Sequence, residues 1–278
     1  MPSQIATSKP ESVYEELWSN KDVRSLHIRF DAELAKVKSQ EEFTSLMGRF
    51  FGPAGLLEEG LDVWRGADVP EEDVIRAASE FFQLKFLIQC DFFLNGYPED
   101  VVEKWWKARG PKPFNQEESY SSESVKKLFH RFNEDVSDAK HLSDLEQIGA
   151  LYLSPTGVLA REFAKAEALE ESEQIQTCAE LFQLRGHIEG TMFIFDFSVK
   201  SERWTVPFVR GLVYAFEREL KGAEDKRALQ KLKGLFLGKD GLVGQACMRA
   251  GQEKNAVAEE QLNLFSSSLK EFFQGEAD

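Results

Sequence analysis

Residues 23–57 read VRSLHIRFDAELAKVKSQEEFTSLMGRFFGPAGLL, and the chain carries this pattern twice more. Residues 125–159, 102 positions on, read VKKLFHRFNEDVSDAKHLSDLEQIGALYLSPTGVL; residues 209–243, a further 84 on, read VRGLVYAFERELKGAEDKRALQKLKGLFLGKDGLV. The three align over 35 residues without a gap, and the first and third share 12 identities, a register that chance explains poorly. Apolar positions coincide at Val23/Val125/Val209, Leu26/Leu128/Leu212, Phe30/Phe132/Phe216, Phe43/Leu145/Leu229, Leu46/Ile148/Leu232 and Phe50/Tyr152/Phe236. Backbone-sensitive ones coincide at Gly52/Ser154/Gly238 and Gly55/Gly157/Gly241. Self-similarity over such a period is the signature of repeated supersecondary units.

Each copy reads as four helices. Val23, Leu26, Phe30 and Leu34 fall at helical spacing, predicting a helix over about 19–37. Ser39 with Glu42 three residues later forms a capping box for a second helix that ends before Gly52. A third helix is expected to start at once, with Gly52 and Ser154 as N-caps and Pro53 and Pro155 at the first helical position. Gly55, Gly157 and Gly241 then fall in its first turn, where a missing side chain admits a close neighbour. A long fourth helix is predicted over about 70–95 and 170–196, with Glu71, Glu72 and Asp73 favoured at its positive end. Farther along, Glu80-Phe81-Phe82-Gln83-Leu84-Lys85 matches Glu180-Leu181-Phe182-Gln183-Leu184-Arg185, and Gln261-Leu262-Asn263 matches loosely, giving Gln83/Gln183/Gln261 as a recurring position.

The expected fold is therefore all-α: three tandem copies of a four-helix unit, about twelve to fourteen helices, forming one compact helical-repeat or bundle-like protein. The expected organisation is a tail over 1–10, copies over 11–97, 122–198 and 199–273, an insert helix and linker over 98–121, and a frayed end over 274–278. Strand patterns and flanked hairpin dipeptides are scarce; Asn95-Gly96 reads as a helix C-cap.

The 278 residues are 42% hydrophobic and 29% charged, with 34 basic and 48 acidic side chains and a net charge of -14, a globular composition. Such negative charge repels phosphate backbones and anionic lipid, so no nucleic-acid partner is expected. The densest basic stretch, 221–233, has Glu224 and Asp225 among its cations. A membrane span needs roughly 20 apolar residues. The longest uncharged run, 147–160, is shorter and contains Pro155, so no membrane insertion is expected. Cys90, Cys178 and Cys247 are odd in number, far apart and form no CxxC or Cys/His cluster, which fits a reducing, cytoplasmic location and no bound zinc. Residues 1–10 carry no apolar core of a secretory leader.

Phosphate loops, GxSxG, HExxH, paired Glu-x-x-His and EF-hand loops are all missing, so the sequence reads as that of a non-enzymatic protein without metal or cofactor. One polar constellation stands out on the fourth helices. Gln83 and Lys85 in the first copy correspond to Gln183 and Arg185 in the second, Gln89 corresponds to Glu189, and the second copy adds His187. A buried charge costs several kcal/mol unless paired, so these groups need partners or a ligand. Gln83, Lys85, Gln183, Arg185, His187 and Glu189 are therefore candidate ligand-binding residues; satisfied helix–helix bonds, with Arg185–Glu189 as an i,i+4 pair, are the plainer reading. His27, His130 and His141 read as partly buried helix histidines and the cysteines as small buried hydrophobes. Trp105 and Trp106, in the insert, are candidate partner-binding anchors. The expected function is a soluble protein-interaction or regulatory module of helical repeats, working through a protein partner. The alternative is an all-α protein holding a small, largely apolar ligand between helices as carrier or enzyme. The sequence does not set the oligomeric state.

Overall fold

A computed structural model describes residues 11–52, 55–94, 96–97, 100–101 and 120–275. All regular structure among them is helical, with no strand. In chain order the helices are α1 (Glu11–Leu17), α2 (Lys21–Leu34), α3 (Gln40–Phe51), α4 (Leu56–Arg65), α5 (Glu71–Leu94), α6 (Glu123–Asp138), α7 (Leu142–Leu153), α8 (Val158–Ala166), α9 (Glu171–Arg203), α10 (Pro207–Lys221), α11 (Lys226–Leu237), α12 (Leu242–Glu253) and α13 (Ala256–Gly275). The starts of α2, α3 and α4 at 21, 40 and 56 recur in α6, α7 and α8 at 123, 142 and 158, and in α10, α11 and α12 at 207, 226 and 242. Most of the expected insert, Trp105 and Trp106 included, lies outside the described residues.

The chain divides into two compact units, one of residues 1–47 and 76–195, the other of residues 48–75 and 196–278. In the first, Val125, Phe132, Tyr152, Leu181, Leu184 and Ile188 form a buried core. In the second, Val209, Phe216, Phe236, Leu262, Phe265 and Leu269 do so. There α4 packs against α10. Gly66 and Gly211 permit this: a Cβ on Gly211 would stand 3.2 Å from the Gly66 Cα.

Three helices, α2, α6 and α10, are each held at the N-terminus by a side chain from a later helix. The N-terminal N–H groups of a helix have no partner inside it, and their partial positive charge favours an anion. In the first unit Glu80 on α5 accepts from the Ser19 N–H (3.1 Å), the Ser19 hydroxyl and the Asn20 N–H (2.9 Å) just before α2. Glu180 on α9 accepts from the Ser121 N–H and hydroxyl (both 2.7 Å) and the Ser122 N–H (2.8 Å) just before α6. In the second unit Gln261 on α13 accepts from the Val206 N–H (3.1 Å) and donates to the Thr205 hydroxyl (2.6 Å) just before α10. Gln261 thus does the work of Glu80 and Glu180, three residues away from the equivalence with Gln83 and Gln183 read from the sequence. A buried aromatic residue, Trp18, Tyr120 or Trp204, precedes each of these latches. The Trp18 ring also donates to His27 Nδ1 at 2.8 Å, so buried His27 is a helix histidine with a structural partner.

The turn into the third helix differs from the sequence reading. Gly52, Ser154 and Gly238 follow the preceding helix, and the N-caps are Gly55, Gly157 and Gly241. Pro155 lies in the turn, not in α8; Pro53 lies outside the described residues. A Cβ on Gly55, Gly157 or Gly241 would come within 2.6, 2.7 and 2.6 Å of the Phe50, Leu151 and Phe236 carbonyl oxygens. Glycine is required because the chain folds back onto the helix it has just left. Half of the Ser39 capping box forms: the Ser39 hydroxyl accepts from the Glu42 N–H (3.2 Å), but the Glu42 carboxylate takes the Lys38 N–H (2.6 Å), one residue before the cap.

Two substitution pairs check these contacts in urea melts. Glu180→Ala takes the acceptor from donors that are only half-buried or exposed and is expected to cost about 1–2 kcal/mol, and Glu180→Gln, which keeps an acceptor, at most about half of that. Gly157→Ala is expected to destabilise by more than about 2 kcal/mol, whereas Gly234→Ala, with open space around its Cβ in α11, stabilises by up to about 1 kcal/mol.

Candidate functional site

Helices α5 and α9 cross at two glycines one helical turn apart. A Cβ on Gly186 would stand 3.1 Å from the Phe86 Cβ and 3.3 Å from the Phe82 carbonyl oxygen; one on Gly190 would stand 3.6 Å from the Phe82 ring. Close approach therefore needs glycine at 186, while 190 has room to spare. Beside the crossing lies a partly open cleft of about 230 Å³ lined by Phe82, Phe86, Gln183, His187, Gly190 and Ile194, with Ser79, Gln83, Gly186 and Thr191 completing the wall.

The six candidate ligand residues separate into two groups. Gln83, Gln183 and His187 line the cleft; Lys85, Arg185 and Glu189 do not. The latter three bind one another. Glu189 accepts from Lys85 Nζ on α5 at 2.5 Å through one oxygen and from Arg185 Nε one turn earlier on α9 at 2.8 Å through the other. Burial pushes the Glu189 carboxyl up, but the two cations outweigh it and hold the group below its ordinary value of 4.5. A paired, hydrogen-bonded carboxylate can stay charged inside a protein, so this triad joins α5 to α9.

On the cleft wall, the Gln83 amide donates to the Ser79 hydroxyl at 3.4 Å, and Gln183 is buried. The His187 ring packs against Phe129 (5.3 Å between centroids) and edge-on to Phe132 (5.9 Å). Burial lowers its pKa below the ordinary 6.5, leaving a neutral imidazole with one donor and one acceptor nitrogen at pH 7. The Thr191 hydroxyl donates to the His187 carbonyl at 2.9 Å. The wall thus offers apolar surface and uncharged polar groups.

A second polar cluster, in the other unit, had no counterpart in the sequence reading. Asp62 on α4 bridges Arg65 and Arg218, each at 2.5 Å. The Tyr214 ring carries Arg65 and Lys200 at 4.6 and 4.5 Å, and Lys200 also pairs with Asp196 (3.0 Å) and Glu217 (2.5 Å). Arg210 lies 4.8 Å over the Phe197 ring and donates to Ser201 at 3.0 Å. The readable signal was Arg210, Tyr214 and Arg218 at successive i,i+4 steps; α4 as their partner comes from tertiary packing. Arg65, Lys200 and Arg218 are matched by acids and Arg210 donates to the Arg65 carbonyl at 3.3 Å, so the cluster reads as a fastening of α4 to α10.

Cys90 and Cys178 are buried and form no disulfide, and burial beside Glu167 pushes the Cys178 thiol up to about 11, far from a reactive thiolate. His130 and His141 are exposed rather than partly buried, and His141 is the N-cap of α7, not a residue within a helix. Among the described residues no three His, Cys, Asp or Glu groups are placed to hold a metal ion, and no helix is long and apolar enough to cross a membrane. No family model, curated protein or solved structure matches the chain.

Because the Glu189 pKa is depressed in the folded state, its contribution to stability is complete above about pH 4.5 and is lost as pH falls through the folded value. Glu189→Gln is expected to be less stable at pH 7 and to show a flatter decline in urea midpoint between about pH 5 and 3 than the unsubstituted chain. Arg185→Met, which removes a 40% exposed partner, is expected to cost less than about 1 kcal/mol.

Proposed function

We propose that this chain is a non-enzymatic binding module made of three copies of one helical unit, serving a protein-interaction or regulatory role. The observation that carries the reading is the recurrence of a single latch. An aromatic residue, a Ser or Thr and a capping residue stand at 18–20, 120–122 and 204–206, and Glu80, Glu180 or Gln261 meets them each time. The same offsets carry the glycine turn and the buried valines Val23, Val125 and Val209. Chains assembled from such units present long helical surfaces suited to partners. The charged groups near the α5–α9 crossing neutralise one another, which favours a holding role over a chemical one. Buried cysteines that form no disulfide, Cys90 and Cys178, support a reducing, cytoplasmic setting.

Within this reading Trp105 and Trp106 are the partner anchors, because aromatic side chains dominate interface energies. The test is affinity purification of the intact chain at physiological salt, with light scattering of the eluted complex. The expected result is a protein retained in a fixed ratio and released on Trp105→Ala with Trp106→Ala. A chain that elutes as a bare monomer, or a complex indifferent to both substitutions, counts against it.

A second reading, a carrier for a small and largely apolar ligand, is favoured by the α5–α9 cleft itself. A concave, mainly apolar wall with a few converging polar groups is the usual form of such a site.

A further inference from the structure

The α5–α9 cleft differs chemically from the charged triad beside it. Its apolar surface comes from Phe82, Phe86 and Ile194, and its polar surface from Ser79, Gln83, Gln183, His187 and Thr191, all uncharged at pH 7. The nearby ions are already matched: Glu189 takes both Lys85 and Arg185. The elements packed on His187 present Phe129 and Phe132, not charges, and its ring nitrogens have no hydrogen-bond partner among the described residues. A charged ligand would enter without a counter-ion on the wall, which is costly in a partly desolvated site.

The size of the cleft narrows the choice. At about 230 Å³ it is larger than the roughly 150 Å³ that accommodates benzene and smaller than the roughly 300–1,000 Å³ of sites for drug-sized molecules. One substituted ring fits. Gly186 and Gly190 let Phe86 and Phe82 lie directly on the α9 backbone, so the two rings are held in place as part of the cleft wall.

We propose that this cleft binds an uncharged, single-ring amphipathic molecule, its ring against Phe82, Phe86 and Ile194 and its hydroxyl, amide or ring N–H toward Gln183 and His187. The inference rests on the ligand-binding reading above and specifies the ligand class. The imidazole supplies one donor and one acceptor, so it pairs with a phenol, an indole or a primary amide alike.

The experiment is a titration of the intact ¹⁵N-labelled chain with phenol, indole and benzamide, then with benzoate, benzylamine and toluene, followed by amide shifts at Gln183, Gly186, His187 and Gly190. The neutral polar probes are expected to move these amides. His187→Phe is expected to weaken phenol and benzamide about tenfold or more while leaving toluene within about threefold, because a site built to hydrogen-bond loses most when its partner group is removed. Gly190→Ala adds a methyl at ordinary contact distance from Phe82, so it folds and narrows the cleft; it is expected to weaken every neutral probe, and it serves should His187→Phe not fold. Benzoate or benzylamine binding as tightly as the neutral probes overturns the uncharged class while leaving the cleft a ligand site. Unchanged phenol affinity in His187→Phe overturns the polar contact. If no probe moves the cleft amides, the ligand-binding reading fails with the inference.

Discussion

A helix that begins inside a packed protein must find acceptors for N–H groups that its own turns cannot satisfy. In this chain the acceptor comes from a long helix some sixty residues later in sequence: Glu80 for α2, Glu180 for α6 and Gln261 for α10. Each contact ties the start of one helix to a later helix, fixing where the first begins and which face of the second turns inward. From Glu180 the inward face continues through Leu181, Leu184 and Ile188; from Gln261 it continues through Leu262, Phe265 and Leu269. The buried aromatic residue just before each latch, Trp18, Tyr120 or Trp204, anchors the chain there to the core. Swapping carboxylate for amide at Gln261 changes the charge and keeps the geometry, which argues that the position requires an acceptor first and an anion second.

Much of this was legible in the sequence. Helical spacing in residues 23–57 and its two echoes gave an all-helical chain, and the boundaries of α2, α3 and α5 follow it closely, because amphipathic period and capping residues act locally. The glycine turn was found but placed one step wrong. Proline suggested a helix start at residues 52–54 and 154–156, whereas Gly157 and Gly55 cap the helix by leaving room for the carbonyl of the helix before. That crowding is a three-dimensional fact with no one-residue signal. The match at Gln261 failed for a similar reason: glutamine was paired with glutamine by identity, while the fold equates it with glutamate by task. The aromatic-Ser/Thr-cap triplets at 18–20, 120–122 and 204–206 were readable and lay just outside the compared window.

The candidate site was legible only in part. Sequence reasoning named Gln83, Lys85, Gln183, Arg185, His187 and Glu189 from their recurrence among apolar neighbours, and all six do lie at or beside the α5–α9 crossing. It could not separate the charged trio, which saturates itself, from the neutral groups that line a cleft, because that depends on which way each side chain leans across the crossing. Gly186 and Gly190 were the missed signal: two glycines four apart on a long helix mark the place where another helix comes close. The Asp62–Arg218 and Tyr214 cluster was beyond reach, since it joins α4 to α10 across more than 150 residues of sequence, a distance at which periodicity is silent.

Hydrogen exchange at the backbone amides of Asn20, Ser122 and Val206 tests the latch most directly. Amides at the start of a helix ordinarily exchange within the least protected class, being open to water. Here the account requires all three to be protected as strongly as interior amides of α9, and the Ser122 amide alone to lose protection when Glu180 is replaced by alanine. Rapid exchange at all three in the unsubstituted chain would contradict it.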